Sequence, residues 1–483
     1  MHIQELNLKN FKVYNDLQID FRIENSDEVS NMNIFIGDNG SGKSAILEAI
    51  SKSLSWMPAK IHSLNRNTSF LIDYDEIKNH ESSARIEISV SNFLAQFEID
   101  SEADEYDIDS AQESIDKYLK KNMNDSENIE EFNFVKRDQL SWTTVRTRLG
   151  SNKEYVADYK KLNDLGYDVR KYLNKSKLYS LPAIMYYGAE RGFINSSRKL
   201  YRPSLEPIRE YEESLNGKSN FRNFFSWFEE LENIENQKFR EFHENNLDSK
   251  LNGSEVFKED SRLRAVRKAV FTFLEEFSEI KIDRESNERF KVVKSGEIFT
   301  FNQLSQGEKN MVSLIGDIAR TLSVMNPFER EPLSSSAIVL IDEIDLHLHP
   351  TWQISIVQNL QNIFPNCQFF ITTHSPLVLS NLKEGKIFRV ANGKSLEEDN
   401  VPYGQDTNSI LRSFMQAPIR DKKISNLVDS FNKYIEDGSL KEADNISVQL
   451  LKMIRRESLL GTEIATRLEV AQILSDNYDN KNY

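Results

Sequence analysis

The sequence predicts an α/β fold in which a mixed β-sheet is flanked by helices and carries an antiparallel β subdomain. Three observations lead to this expectation. A strand-like run, 32–36, enters a glycine-rich loop that is followed by a helical pattern. An apolar run, 338–341, ends in two carboxylates, and 368–373 has the pattern of a further buried strand. The order of strand, loop and helix is the context that a phosphate-binding loop requires.

The amino-terminal lobe is expected to span 1–54. The opening segment, 3–11, has the pattern of a strand, and 16–23 alternates apolar and polar residues like an antiparallel partner. After Lys43, apolar residues recur at helical spacing. This lobe therefore combines two antiparallel strands with the strand, loop and helix of the phosphate-loop unit.

The middle of the chain is expected to hold two insertions around one core segment. Residues 55–180 are polar and acidic in patches and contain strand-like pieces such as 84–90, which predicts an inserted arm with a flexible stretch. Residues 181–204 begin with a core strand, 181–187. Residues 205–285 predict a helical insertion, and the absence of sustained heptads indicates a compact lid instead of a coiled-coil arm.

The second half returns to core elements. Residues 286–398 predict a carboxy-terminal lobe with strands at 290–300, a loop and helix at 304–324, and two buried strands. Residues 399–483 predict a helical region that docks a partner, and no internal repeat is evident. A chain of 483 residues exceeds the usual size of one domain, so several structural parts are expected.

Composition narrows the class of protein. Hydrophobic residues make up 39% and charged residues 28%, as in ordinary globular proteins. No apolar run approaches the roughly 20 residues that span a bilayer, and the amino terminus lacks a signal pattern, so a cytoplasmic protein without a membrane partner is expected. The one cysteine, Cys367, excludes an internal disulfide and is expected to be a small buried hydrophobe.

The net charge of −15 argues against a surface that coats nucleic acid nonspecifically. A local basic channel stays open as an alternative to solvated helix faces. The candidate residues form three clusters: Arg198, Lys199 and Arg202; Arg262, Arg264, Arg267 and Lys268; and Lys452, Arg455 and Arg456.

The strongest chemical signal is the loop 37–44, which fits G-x-x-x-x-G-K-S. Such a loop points successive backbone N–H groups at phosphates at a helix start, where the helix dipole also favours negative charge. Lys43 supplies a neutralising cation, and Ser44 can ligate the Mg²⁺ that bridges the phosphates. The predicted contacts with ATP in this loop are Gly37, Asn39, Gly40, Ser41, Gly42, Lys43 and Ser44.

Two further motifs complete the prediction. The strand that ends at Asp342 and Glu343 places Asp342 toward the metal and Glu343 toward an attacking water, as general base.

Between loop 37–44 and this strand, 304–309 precedes an apolar helix. Ser305 is expected to cap that helix, and Gly307 lets the backbone approach an anion. A capping box would look similar. One chain holds one nucleotide here, so a second anion-binding helix start suggests a face for the nucleotide of a partner chain.

Together these motifs resemble the ABC ATPase superfamily, in particular its RecF, SMC and OLD-like branch. Loop 37–44 is similar to Walker A, 304–309 to the signature, 338–343 to Walker B, and His374 to the switch histidine. The resemblance implies a head-to-tail homodimer, or a higher assembly of such dimers, that closes around ATP. It also implies catalytic roles for Glu343 and His374 and contacts across the dimer from Ser305, Gln306, Gly307 and Glu308.

Two departures from the family pattern concern hydrolysis. Gln306 stands where transporters carry glycine, and no plain Q-loop glutamine follows 181–187, so Glu190 or Arg191 is a candidate for that position. His347 and His349, two residues apart, could suggest a metal site, but no third ligand is evident and the segment resembles the D-loop.

Within this branch the chain resembles the PtuA ATPases of Septu and related retron anti-phage systems, on the segments 186–191, 342–350 and 403–411. The resemblance implies an ATP-controlled regulator or scaffold of a separate HNH nuclease, PtuB, with possible nucleic-acid contact through the complex. A RecF- or SMC-like DNA repair ATPase is the alternative. An OLD-type enzyme would need a nuclease domain after the core, where only about 80 helical residues remain.

Overall fold

The computed structural model describes residues 1–62, 69–98, 132–150, 154–176, 178–189, 207–215, 217, 221–247, 257, 259–284, 289–398 and 400–479. The chain divides into two compact units, Met1–Gln405 and Asp406–Tyr483.

The first unit contains all the described strands. They are β1 (His2–Phe11), β2 (Tyr14–Asp20), β3 (Met32–Ile36), β4 (Ser83–Glu98), β5 (Phe132–Thr147), β6 (Tyr179–Ser180), β7 (Ala183–Tyr187), β8 (Phe277–Ile282), β9 (Phe290–Lys294), β10 (Glu297–Thr300), β11 (Ala337–Ile341), β12 (Cys367–Thr372), β13 (Lys386–Ala391) and β14 (Lys394–Glu398).

Its described helices are α1 (Lys43–Leu54), α2 (Trp56–His62), α3 (Lys160–Leu173), α4 (Pro207–Ser214), α5 (Arg222–Leu247), α6 (Ser261–Phe273), α7 (Gln306–Met325), α8 (Pro350–Ile363) and α9 (Pro376–Ser380). The second unit contains α10 (Thr407–Ser413), α11 (Lys422–Glu436), α12 (Leu440–Met453) and α13 (Leu459–Asp479). None of the described helices is long and apolar enough to cross a membrane.

A six-stranded mixed sheet forms the centre of the first unit, in the order β14-β13-β3-β12-β11-β7. The strands from β13 to β7 run parallel, and β14 is antiparallel to β13. Every residue of β3, β7, β11 and β12 is buried, as expected for strands covered on both faces. The sequence prediction of a mixed α/β sheet is confirmed.

The register of this sheet brings the chemical motifs to one edge. Ile341 lies beside Ile371 of β12 and Tyr187 of β7, and Phe35 of β3 lies beside Thr372. Loop 37–44, Asp342 and the segment after Thr372 therefore leave the sheet at neighbouring carboxyl ends. Ligands bind at this edge in parallel α/β sheets.

The antiparallel sheet has the order β2-β1-β4-β5, and β6 pairs with β4. It is larger than predicted, because β4 and β5 come from 55–180, where a separate arm was expected. Ile88 of β4 lies opposite Leu6 of β1, and the side chains of Ile86 and Val90 are also buried. Every second side chain of β4 in this stretch is therefore buried on one face of the sheet, which fixes the register of its pairing with β1. The acidic stretch 100–109 lies outside the described residues.

The segment expected to be a helical insertion, 205–285, contains α4, α5 and α6 and then the strand β8. β8 pairs with β9, and β9 pairs with β10. A strand at 277–282 was not predicted. It alternates exposed and buried residues over only part of its length, and its pairing with β9 is what defines it.

A buried ion-pair cluster connects α7 to α4 and β7. The Arg320 guanidinium, in α7, lies 2.8 Å from carboxylate oxygens of Asp317 and Glu210. The Tyr187 hydroxyl donates a hydrogen bond to Asp317 at 2.9 Å. Although burial lowers the pKa of Arg320, these two carboxylates outweigh it and raise that pKa above its usual value. The guanidinium is therefore charged and fully compensated.

The second unit begins at Asp406, whereas the expected boundary was 399, directly after the end of β14 at Glu398. The antiparallel helices α11 and α12 pack with α13 around one apolar cluster. Its buried members are Val428, Phe431, Ala443, Leu450, Ile464 and Leu468.

Cys367 begins β12 and is a free, buried thiol. Burial raises the pKa of Cys367 to about 12, so the thiol stays protonated and behaves as a small hydrophobe.

Candidate functional site

Loop 37–44 packs between β2 and β13, and two of its glycines have no room for a side chain. Gly37 has φ +147°, and a Cβ there would lie 2.2 Å from the carbonyl oxygen of Val390. Gly42 has φ +112°, and a Cβ there would lie 2.5 Å from the hydroxyl of Tyr14. That hydroxyl donates a hydrogen bond to the Gly42 carbonyl at 2.9 Å. The glycines thus let a left-handed loop fit closely against its neighbours.

Lys43 begins α1, and only 5% of it is exposed. Its Nζ donates hydrogen bonds to the carbonyl oxygens of Gly37 and Asp38, both at 2.9 Å, so the loop curls around the ammonium group. Burial lowers the pKa of Lys43, and the nearby carboxylates of Asp342 and Glu343 oppose that effect only in part. A bound anion would favour the charged form.

Ser44 and Asp342 meet where α1 begins and β11 ends. The Ser44 hydroxyl donates to Asp342 Oδ1 at 3.0 Å. Asp342 is 4% exposed, and Thr372 also donates to the same oxygen. The predicted metal-binding pair is thus brought together, although the residues are 298 positions apart.

Thr372 is a site residue that the sequence reasoning missed. Its hydroxyl, fully buried at the end of β12, also accepts the backbone N–H of Glu343 at 2.8 Å. It therefore fixes the backbone of Glu343, which has a left-handed φ of +47°. The signal available in the sequence was a hydroxyl residue at the end of a buried strand next to the one that carries the two acids.

A second hydrogen-bonded chain runs beside His374. The Thr373 hydroxyl donates to Asp345 at 2.6 Å and accepts the N–H of Ser375 at 3.0 Å. The Ser375 hydroxyl donates to Gln353 of α8 at 2.6 Å. His374 is exposed between these anchored neighbours. Its role as a phosphate sensor stays a prediction.

The signature segment forms a capping box at the start of α7. The Ser305 hydroxyl accepts the N–H of Glu308 at 3.3 Å, and Glu308 accepts the N–H of Ser305 at 2.7 Å. Lys294 donates to the other oxygen of Glu308 at 2.6 Å. Burial would raise the pKa of Glu308, but the hydrogen bonds from Lys294 and Ser305 hold it below its usual value. Glu308 is therefore engaged within its own chain.

Gly307 also has a reason within the chain to be glycine. A Cβ there would lie 2.8 Å from the carbonyl oxygen of His347 and 3.1 Å from the Trp352 ring. The glycine thus lets α7 approach the segment that follows Glu343. Ser305 and Gln306 are exposed, so they are the two signature residues that a partner could reach directly.

The two histidines of the D-loop-like segment have separate positions. His349 precedes α8, and its Nδ1 accepts the N–H of Thr351 at 3.4 Å. His347 is exposed and has φ +63°. Among the described residues, no group of three or more His, Cys, Asp and Glu side chains could hold a metal ion.

The donors present at the edge of the sheet fit ATP with Mg²⁺. Asn39 and Gly40 are exposed at the loop tip. Within the described part of the chain, the buried Oγ of Ser41 has no hydrogen-bond partner, so this hydroxyl is able to form a hydrogen bond with a ligand. The oxygens of Ser44 and Asp342 are the hard ligands that Mg²⁺ prefers, and Mg²⁺ needs few protein ligands when phosphates supply the others.

Several predicted residues do not join this site. Glu190, Arg191, Arg198, Lys199 and Arg202 lie outside the described residues. The cluster on α6 is paired with acids: Arg262 with Asp260, Arg264 and Lys268 with Glu331, and Arg267 with Glu235. This cluster is therefore a neutralised helix face and not the basic channel considered from the sequence.

Comparison with known proteins adds family evidence to this geometry. Residues 1–379 match a family model described as an AAA ATPase domain. The chain is 29% identical over 479 residues to the Retron Vc95 probable ATPase of Vibrio cholerae serotype O1 biovar El Tor, covering 90% of this chain and 84% of that protein. It is 28% identical over 505 residues to the Retron Ec83 probable ATPase of Escherichia coli, covering 92% and 83%.

The chain also resembles other proteins over a shorter stretch of sequence or in structure. A stretch of 84 residues is 46% identical to the Septu protein PtuA of Bacillus mycoides (strain KBAB4), covering 17% of this chain and 11% of that protein. An SMC head bound to the C-terminal winged-helix domain of ScpA aligns with a TM-score of 0.40 at 16% identity, covering 82% and 98% of the two chains. RecF in complex with ATP aligns with a TM-score of 0.36 at 14% identity, covering 82% and 99%.

Proposed function

Because the chain belongs to the AAA ATPase domain family and is similar to the retron and Septu ATPases, we propose that it is an ABC-type ATPase of the RecF- and SMC-like kind, which binds and hydrolyses ATP between two copies of itself. In this proposal the nucleotide state controls a separate HNH-type nuclease in anti-phage defence. The observation that carries the nucleotide part is the buried ammonium of Lys43, wrapped by its loop beside the Ser44–Asp342 pair.

ATP binding rests on the groups that surround loop 37–44. The Lys43 ammonium would exchange its two carbonyl partners for phosphate oxygens, which are stronger, charge-assisted acceptors. Backbone N–H groups at the start of α1 would add donors aligned with the helix dipole. Ser44 and Asp342 would hold Mg²⁺, which supplies charge neutralisation of the phosphates.

Hydrolysis rests on Glu343 as general base. Its backbone is fixed by Thr372, and Thr372 also donates to Asp342, so one hydroxyl positions the base relative to the metal-binding carboxylate. The carboxylate would accept a proton from the attacking water as that water reaches the terminal phosphate. The exposed His374 lies two residues beyond Thr372 and would contact the same phosphate.

The second copy would complete the site through its signature segment. Ser305 and Gln306 are exposed at the start of α7, where N–H groups and the helix dipole favour an anion. The Ser305 hydroxyl accepts a hydrogen bond within the capping box, so its own proton is available for a phosphate oxygen. Gly307 and Glu308 would contribute indirectly, because their contacts within the chain hold the start of α7 in place.

Mixing two defective variants tests the shared site. Lys43→Ala would disable the nucleotide loop, and Ser305→Ala would disable the signature of the opposing copy. Each variant alone is expected to lose most ATP turnover. In a head-to-tail dimer, an equal mixture rebuilds one intact composite site in each mixed dimer, so turnover should recover to about a quarter of wild type, from the random pairing of chains.

Recovery depends on chain exchange, so the mixture is refolded or co-expressed before ATP turnover is measured. A mixture of Lys43→Ala with Ser44→Ala is the control, because both changes lie in the same loop and no pairing restores a site. Equal activity in the two mixtures would contradict the shared site.

The effector part rests on the retron relatives, which align over most of this chain, and on the match to the Septu protein PtuA. A tagged chain recovered from its host with ATP is expected to carry a small HNH nuclease. The amount of nuclease that co-purifies should be different for the Lys43→Ala chain. Mass spectrometry of the co-purifying chains gives the result. Recovery of DNA repair proteins instead would overturn the defence role and favour the RecF- or SMC-like alternative.

A further inference from the structure

Basic side chains gather at one end of the helical hairpin formed by α11 and α12. The turn between these helices is tight, since the N–H of Ser439 donates to the Tyr434 carbonyl at 2.9 Å. The hairpin therefore places the start of α11 beside the end of α12. Ile424 and Ile454, one from each of these ends, pack against the same apolar cluster. We define the basic end by six residues on these two segments: Arg420, Lys422, Lys423, Lys452, Arg455 and Arg456.

From this arrangement we propose that the basic end binds the phosphate backbone of nucleic acid, so that this chain touches nucleic acid directly. Five of its six side chains are exposed, and Arg420 is half-exposed. The same segments contain two acids, Asp421 and Glu457, which leaves a net charge of about +4 on a chain whose total is −15. The Asp421 carboxylate is already used, since it accepts the N–H of Lys423 at 2.9 Å.

The basic end differs from the other basic cluster of the chain in its lack of acid partners. Within the described residues, none of its six side chains forms an ion pair. The ion pair described in this unit joins Arg467 to Glu463, at 4.0 Å. On α6, by contrast, each basic residue from Arg262 to Lys268 pairs with an acid. Cations without internal partners are available to an external anion at little desolvation cost.

The two arginines sit on a turn with a fixed backbone. The N–H and the hydroxyl of Ser458 both donate to the Arg455 carbonyl, at 3.0 and 2.6 Å. Gly461 packs against this turn, because a Cβ there would lie 2.6 Å from the Arg455 carbonyl and 2.7 Å from that of Arg456. The positions from which both guanidinium groups project are thus set before a ligand arrives, which reduces the entropy cost of binding.

The distribution of these charges favours an extended ligand with repeated anions. The cations come from two short segments, 420–423 and 452–456, at one end of the hairpin. A single small anion would touch only a few of them, whereas a phosphate backbone presents a charge about every 1.7 Å of duplex axis. The opposite end of the hairpin carries Glu436, Asp437 and Glu442 beside Lys433 and Lys441, a net charge of about −1, so it offers the same ligand no excess of positive charge.

Fluorescence anisotropy of the full chain with a labelled DNA duplex of about 20 base pairs, without ATP, tests the proposal. Binding is expected at low salt, with a slope of log affinity against log salt near −4 to −5 for about five phosphate contacts. Arg455→Gln combined with Arg456→Gln should weaken binding about tenfold or more and make the slope less steep by about 2. The matched control, Lys433→Gln combined with Lys441→Gln, removes equal charge from the opposite end and should stay within about twofold of wild type.

Absence of duplex binding by the wild type at low salt, or an equal loss in the control, would overturn the proposal. If the chain bound poly-glutamate with the same affinity as the duplex, the proposal would also be overturned, because an acidic polypeptide would then be as good a partner as nucleic acid. Should the arginine variant fail to fold, Lys422→Gln with Lys423→Gln, on the other segment, gives the same test. The Lys43→Ala chain should bind the duplex normally, so failure of the nucleotide site and failure of this surface are distinguishable.

Discussion

Replacing Lys43 with alanine is expected to weaken ATP binding by about a hundredfold or more while leaving the fold at least as stable as the wild type. The ammonium group is buried, and burial lowers the pKa of Lys43, so holding the charge there costs folding free energy. The loop carbonyls of Gly37 and Asp38 compensate part of that cost. Each hydrogen bond to a charged group contributes about 1.5–3 kcal/mol, and ATP would lose two or more of them.

Thermal unfolding with and without ATP and Mg²⁺ measures both effects. The wild type should melt at a higher temperature with ATP, since a ligand that binds only the folded chain stabilises it. The Lys43→Ala chain should show the wild-type melting temperature or a higher one without ATP, and no rise with it. Lys52→Ala is the control, because Lys52 lies on the same helix and pairs with Asp73 and Glu76. That variant should lose stability but keep the ATP-dependent rise.

If ATP raised the melting temperature of Lys43→Ala as much as that of the wild type, the proposed role of the loop in nucleotide binding would be wrong. A large loss of stability without ATP would instead show that the lysine is needed for folding, through its bonds to the loop carbonyls. The two results differ in which of the two melting temperatures changes, so one experiment separates them.

The sequence predicted best those features in which the chemistry depends on residues close together along the chain. The glycines of loop 37–44 are needed by the backbone of that loop itself, and the two acids after 338–341 follow directly from a buried strand. The order of strands and helices in the mixed sheet could likewise be predicted, because apolar runs and helical spacing are local patterns.

The features that the sequence did not predict depend on contacts between distant segments. The strand pattern at 84–90 was visible in the sequence, but β4 belongs to the antiparallel sheet because it pairs with β1, about 80 residues earlier. Thr372 acquires its position only when β12 lies beside β11. The acids that neutralise α6, such as Glu235 and Glu331, come from other parts of the chain. Patterns along one segment carry no information about such partners.

Gly307 shows how one residue can satisfy two requirements. The sequence suggested a glycine that allows an anion to approach, and the structure adds a close contact with the carbonyl of His347. The segment after Glu343 therefore touches the helix start that we propose faces a partner. Since Asp345 in that segment accepts a hydrogen bond from Thr373, packing and hydrogen bonds link the signature segment to the region around the proposed base, Glu343, in the same chain.

Replacing Glu343 with glutamine is expected to lower ATP turnover by about a hundredfold or more and to retain ATP binding. Glutamine keeps the size of the side chain, and the hydrogen bond from the backbone N–H of residue 343 to Thr372 does not involve the carboxylate. The amide cannot accept the proton of the attacking water, and loss of a general base typically costs about 10²–10⁴-fold in rate. Because binding would persist without hydrolysis, the two copies should stay closed around ATP.

Phosphate release in the steady state, and the molecular mass in solution with ATP and Mg²⁺, measure these two effects. The variant should be nearly inactive and dimeric with ATP, whereas the wild type should return to its starting state as ATP is consumed. Glu397→Gln is the control, because Glu397 pairs with Lys386 on the far edge of the same sheet and should keep wild-type turnover. Unchanged turnover in Glu343→Gln would assign the base elsewhere. Turnover lost together with ATP binding would show that Glu343 serves the bound nucleotide and not the attacking water.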